Sequence, residues 1–157
     1  MTSPFELTIK TILIESHAPT QRYCNLGFSS KDFVVLNQIS QTLKMLLPDY
    51  TFWDGHQPTL NNAPPSSASH WAFIDQVFDI SHTGVILNEP YFWLSRWQIL
   101  EQQAFWSALS TRFGGHNVIV VFVESHTFAQ INQHYLYPKT LDSIPMTVWL
   151  STKIALT

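Results

Sequence analysis

The sequence predicts a single α/β domain with a Rossmann-like three-layer architecture: a mostly parallel central sheet with helices on both faces. Three observations predict it. Between Thr83 and Lys153, apolar strand patterns alternate with helical patterns, and such alternation favours parallel strands joined by crossovers. Val118 to Val123 is an unbroken apolar run, as expected for a strand covered on both faces. Sequence caps mark the helices between these strands, at Ser95 and Ser125.

The elements follow in order. Phe5, Leu7 and Ile9 alternate with polar residues and Ile12 to Ile14 continue the run, which reads as a strand. His17 to Thr20 ends it, and Arg22 to Phe28 is a candidate second strand. Ser29 is the expected N-cap of the first helix, with Phe28 and Phe33 as a hydrophobic staple. Phe33, Leu36, Ile39, Leu43, Leu46 and Leu47 keep helical spacing until Pro48. Tyr50 to Trp53 reads as a short strand. Residues 55 to 69 carry Gly, Pro and polar turn formers, the composition of one long loop. Ser69 is the expected cap of a short helix bearing Trp71, Phe73, Ile74, Val77 and Phe78.

Val85 to Leu87 is the next strand. Ser95 and Gln98 form an expected capping box, with Leu94 and Ile99 as its staple. Trp97, Leu100, Ala104, Phe105, Ala108 and Leu109 are the expected buried face of that helix, and Gly114-Gly115 its stop. A helix from Ser125 carries Phe128, Ile131 and Tyr135, with Pro138 beyond it. Met146 to Leu150 is the last strand.

The chain has 157 residues, the size of one ordinary domain. Charged residues make up only 12%, against about 25% in a typical soluble domain. Net charge is −3 and the basic residues are scattered singly, so the sequence lacks the electrostatic footprint of a duplex-binding protein. Six Trp, five Tyr and eleven Phe leave base stacking as a route to single strands. A lone cysteine, Cys24, excludes an intramolecular disulfide and a cysteine-built zinc site. No basic, apolar leader pattern stands at the start and no apolar stretch reaches membrane-spanning length. The expected location is cytoplasmic.

Four groups of residues carry possible chemistry. Strand-end polar residues are Asp54-Gly55-His56, Asn88-Glu89, Glu124-Ser125-His126 and Ser151-Thr152-Lys153. In an all-parallel sheet they share one edge, where α/β proteins bind ligands. Glu89, Glu124 and His126 would then suit acid–base work or cation binding. Strand ends are also polar simply because strands end at the surface.

Val85 to Glu89 has the outline of a Walker B strand, and Gly27 to Asp32 leads into a helix as a phosphate loop does. The chain thus loosely resembles an NTPase-like core. However, Asn25, Ser30 and Asp32 stand where glycine and a magnesium-binding hydroxyl are required, and Asp32 would repel phosphate. No nucleotide or other cofactor is therefore expected.

The seven histidines, His17, His56, His70, His82, His116, His126 and His134, lack paired metal-ligand spacing, and no metal is expected. Nor is there a nucleophile elbow, and Cys24 falls in an expected strand. Finally, Tyr91, Phe92, Trp93 and Trp97 cluster in the connection between a strand and a helix. Such residues serve as interface anchors when exposed and as core when buried.

Together these features predict a non-catalytic protein-binding subunit of a multi-protein, bacterial-type assembly, built on a degenerate nucleotide-binding-like core. Its partner is another protein or a second copy of the chain, bound through Tyr91, Phe92, Trp93 and Trp97. The alternatives are a small hydrolase or nucleotide-handling enzyme using Glu89, Glu124 and His126, and a nucleic-acid-associated module using aromatic stacking.

Overall fold

A computed structural model describes residues 3–16, 25–54, 84–95, 97–111, 117–124 and 137–150. The elements are α1 (Pro4–Ser16), β1 (Asn25–Ser30), α2 (Phe33–Leu46), β2 (Thr51–Asp54), β3 (Gly84–Asn88), α3 (Tyr91–Leu94), α4 (Ile99–Thr111), β4 (Asn117–Val123), β5 (Tyr137–Thr140) and β6 (Thr147–Leu150). The protein is α/β, and its described residues form a six-stranded mixed sheet in the order β2-β3-β4-β1-β6-β5. The β2–β3, β3–β4 and β4–β1 pairings are parallel; β1–β6 and β6–β5 are antiparallel.

The first element departs from expectation. Residues 4–16 form a helix, not a strand. Phe5, Ile9, Ile12 and Leu13 lie on one face and pack into the core, while Leu7 and Ile14 are exposed. The apolar residues satisfy a helical period as well as an alternating one, and tertiary burial selects the helix. The start is also capped: Pro4 occupies the first helical position, and Ser3 Oγ accepts from the Glu6 amide at 3.1 Å.

The cap of α2 lies three residues beyond its expected place. Ser29 and Ser30 complete β1. Asp32 is the N-cap, its Oδ1 accepting from the Val34 amide at 2.8 Å. Phe28 is buried in the strand whereas Phe33 is 65% exposed, so no staple joins them. Val35, Leu36, Ile39 and Leu43 form the buried face.

The start of α4 is displaced in the same way. The backbone carbonyl of Gln98 accepts from the Glu101 and Gln102 amides, and Glu101 Oε2 accepts from the Gln98 amide at 3.4 Å. The pair that closes this turn is therefore Gln98 and Glu101, rather than Ser95 and Gln98. Ser95 instead ends the single turn of α3, its amide bonding Tyr91 O.

Alternate residues of the strands face two separate cores. On one face Val85, Leu87, Val118, Val120, Phe122 and Trp149 meet Leu94, Trp97, Phe105 and Trp106. On the other, Leu26, Phe28, Ile86, Ile119, Val121 and Val148 meet α1 and α2.

The last strand corrects the expectation that β6 continues the parallel alternation of β3 and β4. β6 runs antiparallel to β1. β5, with Pro138 inside it, was not expected, because Pro138 reads as a stop signal. Among the described residues it pairs on one side only, at the sheet's edge, where strand proline is tolerated. The expected loop 55–69, the helix from Ser69, the Gly114-Gly115 stop and the helix from Ser125 lie outside the described residues.

Candidate functional site

The carboxyl ends of β1, β2, β3 and β4 share one edge of the sheet. β6 is antiparallel to β1, so its carboxyl end lies at the opposite edge; Ser151-Thr152-Lys153 lies outside the described residues. The shared edge carries two distinct polar clusters.

One cluster ties β2, β3 and α2 together. Ser40 Oγ donates to Asn88 Oδ1 at 2.8 Å, and Asn88 Nδ2 donates to Asp54 Oδ1 at 3.2 Å. Buried Ser40 on α2 thus finds its acceptor at the tip of β3, satisfying a hydroxyl that would otherwise be costly inside the core. These residues read as a structural clamp.

The other cluster surrounds a cleft of about 240 Å³, lined by residues of the β1–α2 turn, Glu124 after β4, and the β5–β6 hairpin. Ser30, at the end of β1, shapes it. Its hydroxyl donates to Pro145 O at 2.5 Å and accepts from the Asp32 amide at 3.1 Å. The hairpin is thereby pinned to the start of α2. The cleft is smaller than the roughly 300–1,000 Å³ of typical small-molecule pockets.

Glu89 and Glu124 follow neighbouring strands at the same edge, but only Glu124 lines the cleft. Glu89 is 3% exposed and has φ 52°, in the left-handed region. For a residue other than glycine this conformation costs about 1–3 kcal/mol. The Glu89 amide donates to Val121 O at 2.7 Å, which holds the turn from β3 into α3. His126 and the other six histidines lie outside the described residues. Among the described residues no three His, Cys, Asp or Glu side chains form a metal-holding group. No helix there is long and apolar enough to cross a membrane.

The segment from Gly27 to Asp32 acquires a physical account other than phosphate binding. A Cβ at Gly27 would stand 3.1 Å from both Phe122 Cε1 and Trp149 Cβ. Any side chain there would press on both aromatic residues, which glycine avoids. At the start of α2, where an anion would seat, the Asp32 carboxylate already bonds the Val34 amide.

Within the aromatic connection, Trp97 belongs to the core. Trp97 is 4% exposed and packs in the core cluster of Leu94, Phe105 and Trp106. Its carbonyl accepts from Gln102 Nε2 at 2.9 Å, fastening the connection to α4. Tyr91 is half-buried, and the side chains of Phe92 and Trp93 lie outside the description. The expected staple at Ile99 and the expected burial of Leu100 are both overturned: they are 56% and 75% exposed. The Ser95-x-x-Gln98 pattern places the helix start three residues too early; of the expected buried face, Trp97 and Phe105 are in the core and Ala104 packs against it, and Leu100 is not. Neither a protein-family model, nor a curated protein, nor a solved structure matches the chain.

Proposed function

We propose that this chain is a non-catalytic protein-binding subunit of a multi-protein, bacterial-type assembly, with a Rossmann-like three-layer core serving as scaffold. The observation that carries the reading is the exposed pair Ile99-Leu100 at the start of α4, directly after the aromatic connection Tyr91 to Trp97. Two adjacent large aliphatic side chains held in water gain about 1.5–3 kcal/mol each on full burial. Charged residues are scarce in the chain, as they are in interface cores.

In this reading Trp97 holds the connection from beneath, while Tyr91, Phe92 and Trp93 join Ile99 and Leu100 as the partner-facing group. The partner is a different protein or a second copy. Replacing both aliphatics, Ile99→Asp with Leu100→Asp, tests it. Purified from its native host, the wild-type chain is expected to elute as a stable complex by light scattering, and the double variant as a folded monomer. A wild-type monomer, or an unchanged complex in the variant, would count against the reading.

A second reading rests on the cleft at the ends of β1 and β4, with Glu124 beside Lys31 and Asp32 in its lining. There the chain would be a small hydrolase or nucleotide-handling enzyme. Glu124→Gln should then lower turnover of an ester or nucleotide substrate at unchanged stability. A wild-type protein inert towards both substrate classes removes this reading.

A further inference from the structure

We draw no further inference here: the strongest candidate, the apolar groove between α1 and α2 that Lys10, Leu13, Ile14, Leu46 and Leu47 line, carries nothing because nothing in the structure shows what covers it.

Discussion

The two faces of the sheet solve the same burial problem with different side chains. The face under α1 and α2 is mainly aliphatic, with Ile9, Ile12, Leu13, Ile39, Leu43, Ile86 and Ile119 sharing the load. The face under α4 relies on a chain of rings. Phe105 and Trp106 meet edge-on at 5.3 Å and 80°, Trp106 and Phe122 at 5.3 Å and 67°, and Phe122 reaches Trp149 at 6.3 Å. Edge-to-face pairs add about 0.5–1.5 kcal/mol beyond their buried area. Rings are rigid and fit few arrangements, so this face also needs exact accommodation from the backbone. Gly27 provides space, and Ser29 Oγ accepts from Trp149 Nε1 at 2.7 Å. The aliphatic face can repack around a change; the aromatic face has less room to do so.

Breaking the centre of each face should show this difference. Trp106→Ala is expected to cost about 3–5 kcal/mol in chemical denaturation and Ile39→Ala about 2–4 kcal/mol. Trp106→Ala should also erase much of the near-UV circular dichroism, which Ile39→Ala should leave in place. Equal spectral losses would refute the contrast between the faces.

Gly27→Ala probes the accommodation itself. Its added methyl should cost about 1–3 kcal/mol through overpacking. Phe122→Leu in the same chain should recover part of that loss, giving a non-additive cycle as expected for residues in contact. Additive losses would mean that Gly27 is not shaped by Phe122. Ser29→Ala leaves the Trp149 indole N–H buried and without its acceptor, at about 1–3 kcal/mol. The smallest effect belongs to the other face, where Asp32→Ala should cost about 1 kcal/mol through loss of the α2 cap. Asp32→Asn should retain most of that stability.

How legible each region was depended on whether one signal or several specified it. The β3 and β4 strands were readable because their apolar runs are short, continuous and bounded. The α1 segment was not, since Phe5, Leu7 and Ile9 fit a strand while Phe5, Ile9, Ile12 and Leu13 fit a helix. Ser3, Pro4 and Glu6 carried the deciding signal at its start. At α2 and α4 the existence of the helix was plain, but the Ser29 and Ser95 patterns place its start three residues early, against Asp32 and Gln98 in the structure. The staples expected at Phe33 and Ile99 fail with that shift, and both side chains are exposed. The reversal of β6 had no local signature, because direction in a sheet is set by partners distant in sequence. In the candidate site, Glu124 could be placed at a strand end from the sequence. Its cleft companions Thr140, Met146 and Thr147 depend on the β5–β6 hairpin, which Pro138 concealed.

The claim that the start of α4 faces a protein partner is tested most directly by site-specific photo-crosslinking in the native host. A photoreactive residue at Leu100 is compared with one at Lys139, which is exposed on β5. The account predicts one dominant covalent adduct from position 100 and none from position 139, with mass spectrometry identifying the partner or a second copy. No adduct from position 100, or the same adducts from both positions, would contradict it.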